Sequence, residues 1–277
     1  QCMQSRWSYL LASLALAATA LLVFYRHGTP WLAGHLAAHV PLGWEQALTA
    51  RVMAQLDGPL LKPSKLSAGR QQALQQQFGA MQAQWPQRLL RYPGYRPPIR
   101  LLFRSGLPAN AFALPGGTVV VSDALVQLAA KRNLSDDAIL GVLAHEAGHV
   151  LQRHGTRLVI EQGVLNTGLG LALGDVSWVV NYGSTLLTGL AYRRSHETEA
   201  DCFAIAHLQA LGRPTQPMGA LLLALAEQDP PGQPDGHKPP PGPAARESAW
   251  PSWLSSHPDT QQRAQALAQG QAPECGR

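Results

Sequence analysis

The sequence predicts a mainly helical α+β domain with a small antiparallel sheet, preceded by one transmembrane helix. Three observations lead to this prediction: an uncharged apolar run at residues 7–25, several segments with apolar residues at helical spacing, and a section after residue 98 rich in strand formers. The 277 residues, 45% of them hydrophobic, are enough for one good-sized core. We expect residues 1–28 to form a membrane anchor, 29–97 a helical accessory region and 98–277 one functional domain.

The apolar run at residues 7–25 contains no charge and has Arg6 and Arg26 at its flanks. It is long enough to cross a bilayer, and aromatic residues at both ends are typical of a helix anchored at two interfaces. A cleaved signal peptide is the competing interpretation because Ala-rich triplets lie inside the run. The apolar stretch continues past them to Phe24, which favours an anchor. The balanced flanking charge leaves the orientation open.

Composition narrows the class of partner. The formal net charge is +5, but no dense block of Lys and Arg is present that could follow a phosphate backbone, so nucleic-acid binding is not expected. The chain has three cysteines, Cys2, Cys202 and Cys275, and their spacing predicts neither a disulfide framework nor a cysteine metal site. Cys202 is interpreted as a small buried apolar residue. The redox compartment stays open.

Two segments before the strand-rich section have amphipathic helical spacing, residues 42–57 and 67–85. Ser67 is of a residue type that favours the N-cap position. Strand formers then recur at residues 99–104 and 118–121, with Pro, Gly and Asn marking turns between them. These patterns predict helices that pack on a small antiparallel sheet.

The second half of the chain is predicted to be helical with one long loop. Ser135 and the two aspartates after it supply a cap and negative charge for a helix N-terminus. Residues 163–190 are apolar but interrupted by glycines and polar residues, which favours a mobile or membrane-grazing helical pair over a second span. Helices are also expected at residues 194–211 and 259–268. The Pro-rich residues 229–251 are expected to form a loop that could gate a cleft.

The helix after Ser135 carries the run His145-Glu146-Ala147-Gly148-His149. Because His145 and His149 stand four residues apart, their imidazoles lie on one helix face and can share a single zinc ion. Glu146 lies beside that position, where a carboxylate can take a proton from a zinc-activated water and pass it to a leaving amine. The pattern predicts metal-assisted hydrolysis.

A catalytic zinc ion needs a third protein ligand while one position stays open for water. The candidate is Glu197, on the helix expected at residues 194–211. Asp201 follows four residues later on the same face, where it can accept a hydrogen bond from a ligand imidazole and fix its tautomer. Glu199 is expected to point elsewhere.

Four parts of the sequence together resemble a known family. They are residues 145–154, residues 197–201, residues 110–117, and His257 with Arg263 near the end. The combination resembles the gluzincin metallopeptidases that include HtpX, the Oma-type proteases and the CaaX prenyl proteases. The presence of one clear span is most similar to the Oma-like bacterial members.

The resemblance implies a zincin-like domain with one zinc ion per chain, bound by His145, His149 and Glu197. Glu146 would be the general base, and Asp201 would orient a ligand. His257 is expected to be an oxyanion stabiliser or a regulatory element, or else a solvent-facing loop histidine. An extended substrate would align on an edge strand, or this strand is an ordinary core strand. The strand is Thr118, Val119, Val120 and Val121.

The expected function is therefore that of a membrane-anchored zinc endopeptidase acting on protein substrates. The resemblance implies misfolded or unassembled envelope proteins, with a single-pass anchor in a bacterial inner membrane and the catalytic domain on the periplasmic side. One alternative is a zinc-containing chaperone or assembly factor with little proteolysis, and another is a helical membrane adaptor without metal. The physiological substrate and the oligomeric state cannot be read from the sequence.

Overall fold

The computed structural model describes residues 2–173, 194–228, 257, 260–271 and 275, and the chain divides into two compact units. One unit comprises residues 1–40 and 156–181, and the other comprises residues 41–155 and 182–277. The Pro-rich loop at residues 229–251 and the segment from residue 174 to 190 lie outside the described residues. The expectations for both stay predictions.

The first unit is helical. Helix α1 spans Cys2–Val23, a π-helical turn follows at Phe24–Gly28, and α2 spans Thr29–Ala37. Tyr9–Ala37 forms 29 residues of helix with a mean hydropathy of 1.7 in its most apolar part, none of which is buried. In the part of the chain that the structure describes, this is the one helix long and apolar enough to cross a membrane.

The second unit combines helices with a four-stranded sheet, as the α+β prediction required. Helix α7 spans His154–Leu173; its first two residues belong to this unit and the rest to the first unit. The other helices are α3 (Leu42–Leu56), α4 (Ala68–Gln82), α5 (Asp123–Lys131), α6 (Asp136–Leu151), α8 (Arg194–Ala210), α9 (Gln216–Gln228) and α10 (Thr260–Ala268). The strands are β1 (Lys62–Pro63), β2 (Arg100–Ser105), β3 (Ala111–Leu114) and β4 (Thr118–Ser122).

The sheet is mixed, with the strand order β1-β2-β4-β3. The β3–β4 hairpin is antiparallel, as is β1 with β2, but β2 and β4 run parallel. The prediction of a purely antiparallel sheet was therefore wrong for that pair. Thr118, Val119, Val120 and Val121 lie in β4, which has a partner strand on each side, so the expectation that they form a sheet edge was also wrong. Among the described residues the edge strands are β1 and β3.

Two serines expected at helix N-termini, Ser67 and Ser135, behave differently. Ser67 accepts a hydrogen bond from the backbone N–H of Arg70 at 3.2 Å, which confirms it as the N-cap of α4. Ser135 occupies the N-cap position of α6 but makes no capping side-chain bond. Its neighbour Asp136 is held instead by Arg70, through bonds of 2.9 and 2.6 Å. A negative charge therefore lies in the first turn of α6, as predicted, but the predicted capping bond from Ser135 does not form.

Helix α6 lies in the centre of the second unit, and every residue from Ala138 to Leu151 is buried. Glycines on its surface allow other helices to approach closely. A Cβ atom on Gly141 would lie 2.6 Å from Cβ of Met218 in α9, and one on Gly148 would lie 3.1 Å from Cα of Ala200 in α8. This close packing places the polar residues of α6 against those of α8.

Candidate active site

His145 and His149 are directed at a common point, as the four-residue spacing predicts. Their Nε2 atoms are 2.9 Å apart, and the two side chains are almost completely buried. The Nδ1–H of His145 donates to Oδ1 of Asp201 at 2.9 Å, so the Nε2 of this ring presents a lone pair. At 2.9 Å, Nε2 of His149 either donates a hydrogen bond to this lone pair or, with its proton on Nδ1, offers a second lone pair to a shared cation.

Helix α8 supplies a carboxylate to the same point. Oε1 of Glu197 lies 3.3 Å from Nε2 of His149, and Oε2 lies 3.6 Å from Nε2 of His145. The approach depends on Gly148, because a larger residue there would push α8 away. The structure therefore brings together the three residues that the sequence proposed as ligands.

His257 is a fourth donor at this position. Its Nδ1 lies 3.0 Å from Oε1 of Glu197 and 3.4 Å from Nε2 of His145. Ligand atoms of His145, His149, Glu197 and His257 all lie within 4.8 Å of one another, and all four residues are buried. The residues on either side of His257 lie outside the described part, but the side chain itself is not solvent-facing.

The donor set fits a tetrahedral zinc ion. Ligand atoms about 2.0–2.1 Å from zinc lie about 3.3–3.4 Å from each other, by the geometry of a tetrahedron. The contacts of His145 with His149, Glu197 and His257, and of His149 with Glu197, measure 2.9 to 3.6 Å, and ligand atoms of all four residues lie within 4.8 Å of one another. Burial lowers the pKa of His149 to about 3, which keeps this imidazole neutral and able to bind a metal.

Glu146 lies beside this donor set without a hydrogen bond of normal geometry from the described residues to either carboxylate oxygen. Oε1 is 3.6 Å from Nε2 of His257. Burial and the negative charge of Glu197 raise its pKa well above the usual value, and the backbone N–H of Ala113 in β3 partly opposes this. A general base needs a raised proton affinity and an oxygen that is available to accept a proton. The buried carboxylate of Glu146 has both properties.

Asp201 takes the place that the sequence predicted for it, against Nδ1 of His145. Arg263 in α10 contacts both Asp201 and Glu197. Burial alone would raise the pKa of Asp201, but the charge and hydrogen bonds of Arg263 outweigh burial and lower it. The sequence named Arg263 only as part of a resemblance, whereas the structure makes it the counter-ion of two site carboxylates.

Cys202 and Cys275 form a disulfide, with Cα atoms 5.6 Å apart and a sequence separation of 73. This corrects the interpretation of Cys202 as an ordinary buried apolar residue. The bond joins the C-terminal region to α8 at the residue after Asp201. It therefore fixes the segment that follows α10 against the helix that supplies Glu197.

The fold and the site define a metallopeptidase: a buried His/His/Glu donor set on two helices, with a buried carboxylate, Glu146, next to the first histidine. Comparison with known families gives the same class and a specific family. Residues 96–270 match the model of peptidase family M48. Because this match covers more than half of the sequence, the chain belongs to that family.

Curated relatives include envelope and mitochondrial proteases. The chain is 32% identical over 154 residues to the β-barrel assembly-enhancing protease of Yersinia pestis, which covers 48% of this chain and 29% of that protein. It is 32% identical over 133 residues to the Escherichia coli protein of the same name, covering 43% and 26%. It is 38% identical over 95 residues to the mitochondrial metalloendopeptidase OMA1 of Saccharomyces cerevisiae, covering 33% and 26%. The chain thus spans less than a third of each relative, and the predicted resemblance to Oma-like metallopeptidases is confirmed.

Proposed function

We propose that this chain is a membrane-anchored zinc endopeptidase that hydrolyses peptide bonds in misfolded or unassembled envelope proteins. The observation that carries the proposal is the buried donor set of His145, His149, Glu197 and His257 with the carboxylate of Glu146 beside it. One zinc ion per chain fits this set better than a hard cation, because imidazole nitrogen predominates.

A zinc ion held by His145, His149 and Glu197 would lower the pKa of a bound water towards neutrality and polarise the scissile carbonyl. His257 lies at the remaining position of the donor set, so it would have to move away before water could bind. Glu146 accepts the proton of the attacking water and delivers it to the leaving amine. Asp201 and Arg263 hold His145 in the tautomer whose Nε2 lone pair faces the donor set. In this mechanism Glu146 transfers the proton, and Asp201 with Arg263 orients the ligand His145.

The structure changes the proposal for substrate alignment. Among the described residues β1 and β3 are the edge strands, and β1 has only two residues. We therefore place the substrate on β3, because the backbone of Ala113 in β3 faces Glu146. An extended peptide that adds to β3 by main-chain hydrogen bonds would place its backbone next to the general base. Main-chain recognition suits substrates of varied sequence. Two bacterial relatives are named β-barrel assembly-enhancing proteases. The substrates that we propose are therefore envelope β-barrel proteins that have not assembled.

The proposed location is a bacterial inner membrane, with a single pass and the second unit on the periplasmic side. Support comes from the apolar helix Tyr9–Ala37 and from the Cys202–Cys275 disulfide, which is expected in an oxidising compartment. Retention in carbonate-washed membranes and digestion by protease added to spheroplasts would test both parts. Release of a shortened chain by carbonate would indicate a cleaved signal peptide instead.

The activity is tested by metal analysis and casein cleavage. We expect one zinc per wild-type chain, much less in Glu197→Ala, and full zinc in Glu146→Gln with cleavage reduced by about 10²–10⁴-fold. Because His257 adds a fourth donor, cleavage is also measured in His257→Ala with and without Glu146→Gln. A metal-free wild type would contradict the zinc site. Undiminished biological activity in Glu146→Gln would favour the chaperone alternative.

A further inference from the structure

The second zinc-ligand candidate, His149, contacts a third histidine that the proposed mechanism does not use. Its Nδ1 lies 2.8 Å from Nδ1 of His154, and Nε2 of His154 lies 2.9 Å from Oε2 of Glu199. His149 and His154 are buried, whereas the side chain of Glu199 is 33% exposed. We call His154 and Glu199 the His149 arm. It runs from the donor set to the protein surface.

The backbone places His154 for this contact. In an unbroken helix, residues five apart point about 140° away from each other, so His149 and His154 would lie on different faces. The helix is broken at Arg153, whose φ of 55° is in the left-handed region that side chains other than glycine rarely adopt. A buried ion pair of 2.9 Å to Glu45 and a position over the Tyr95 ring, 4.3 Å from its centre, hold Arg153 there.

The hydrogen-bond pattern fixes the tautomers. If Nε2 of His149 offers its lone pair to a metal, the ring proton lies on Nδ1 and is donated to Nδ1 of His154. His154 then carries its own proton on Nε2 and donates it to the carboxylate of Glu199. Every donor meets an acceptor with both rings neutral. The ring of His196 stacks on His154 with centroids 4.3 Å apart and planes 13° from parallel, which holds the orientation of that ring.

We infer that His154 and Glu199 are positioning residues that fix the tautomer and orientation of His149 for zinc; this inference rests on the proposed zinc site. The two histidine ligands are thus supported by different means. His145 is held directly by a carboxylate, Asp201, which is almost fully buried. His149 is held through an intervening imidazole and a carboxylate that reaches solvent. Such partners of metal-ligating histidines typically change metal affinity by about 10–100-fold when removed.

The test is the dissociation constant for zinc, measured by competition with a chromogenic chelator. His154→Leu removes the acceptor for His149 while it keeps an apolar side chain in the pocket, and we expect zinc binding to weaken about 10–100-fold. His154→Gln supplies an amide oxygen that can accept the same proton, and we expect it to retain most of the affinity. A residue that serves only as packing would give the opposite order, because buried Gln is more costly than Leu.

Glu199→Gln keeps an acceptor but loses the charge, so we expect a smaller loss, about 3–10-fold. The double variant of His154→Leu and Glu199→Gln should bind zinc no more weakly than His154→Leu alone, because Glu199 acts through His154. Glu227→Gln is the matched control, since Glu227 pairs with Arg132 on an exposed surface, and it should bind zinc as wild type does.

Circular dichroism of each metal-free variant shows whether its fold is intact. A wild-type chain that binds no zinc would overturn the proposed function itself. Tight zinc binding by wild type, with equal affinity in His154→Leu and Glu199→Gln, would overturn the His149 arm alone. Losses in both variants that add fully in the double variant would also contradict it, because independent effects exclude a relay through His154.

Discussion

Arg263 holds Asp201 through two parallel hydrogen bonds, from Nε to Oδ2 at 2.6 Å and from Nη2 to Oδ1 at 2.8 Å. Its remaining nitrogen, Nη1, donates to Glu197. One guanidinium therefore pairs with two buried carboxylates and offsets one of their two negative charges: one carboxylate faces the metal position and the other orients His145. Charge balance in this interior depends on a residue from α10.

Arg263→Ala is expected to lower the free energy of unfolding by about 3–5 kcal/mol at neutral pH, because two buried carboxylates lose their cation. Arg263→Lys should recover only part of this, since an ammonium cannot make the bidentate contact. Urea titrations of the metal-free proteins would measure both. The control is Arg132→Ala, which breaks an exposed ion pair and should cost about 1 kcal/mol or less. Equal losses in Arg263→Ala and Arg132→Ala would refute the prediction.

His257→Ala is expected to raise the rate of casein cleavage and to weaken zinc binding. A zinc ion held by His145, His149, Glu197 and His257 would have four protein ligands, which leaves a tetrahedral ion no position for water. Removal of His257 opens that position at the expense of one ligand. Steady-state kinetics together with chelator competition would show both effects.

A fall in the rate of casein cleavage in His257→Ala would indicate a different role for His257. An oxyanion stabiliser contributes about 10²–10³ to the turnover rate, so a loss of that size in His257→Ala would assign this role instead. The paired control adds Glu146→Gln to His257→Ala. Any gain in cleavage should disappear in this double variant, because the general base is missing.

Replacement of Cys275 by Ser is expected to destabilise the protein by about 2–4 kcal/mol, because the disulfide closes a long loop in the unfolded chain. The melting temperature of wild type under reducing conditions should fall to that of Cys275→Ser. Reductant should not change the variant further. If reductant shifted both proteins equally, the Cys202–Cys275 bond would not be the source of the stability.

Asp136→Asn is expected to cost about 1 kcal/mol of stability at pH 7, through the loss of its ion pair with Arg70 and of a negative charge at the start of α6. Hydrogen bonds from Arg70 lower the pKa of Asp136, which partial burial opposes. The contribution is therefore complete above the unfolded-state pKa of about 3.9 and is lost as the pH falls through the lower folded-state pKa.

The measurement for Asp136 is the difference in unfolding free energy between wild type and variant from pH 7 to pH 3. The difference should be constant down to about pH 4 and then shrink. Asp57→Asn provides a comparison, because Asp57 pairs with Arg104 but lies at no helix N-terminus. A difference for Asp136→Asn that grew on acidification would have the wrong sign.

Local patterns predicted much of the helical part of the fold. The spacing of apolar residues indicated α3, α4, α8 and α10 to within a few residues. Helix α9 was missed: buried side chains cover most of it, so it lacks the polar face that marks an amphipathic helix. The sheet order was also missed, because the parallel pairing of β2 with β4 bypasses the hairpin and no local pattern reveals it.

In the site, too, contacts between residues close in sequence could be predicted, whereas most contacts between distant residues could not. The spacing of His145 and His149 determines their shared face, so the sequence was sufficient to predict it. Glu197 was inferred from the need for a third ligand, and the structure places it there. The resemblance had offered His257 as an oxyanion stabiliser or regulatory element, but not as a fourth donor, and its sequence separation of 112 from His145 gives no local pattern that links them. The Cys202–Cys275 pairing was equally hidden, because three cysteines allow several pairings.

The contribution of α10 and the C-terminal cysteine has a consequence for biosynthesis. A ribosome completes the helix with His145 and His149 long before it reaches Arg263 and Cys275. A chain released early would carry Glu197 and Asp201 as buried anions without their cation, and it would fold poorly around the metal position. Chains that end before Arg263 would therefore fold poorly around the metal position, whereas chains that lack only Cys275 would lose the disulfide and part of their stability.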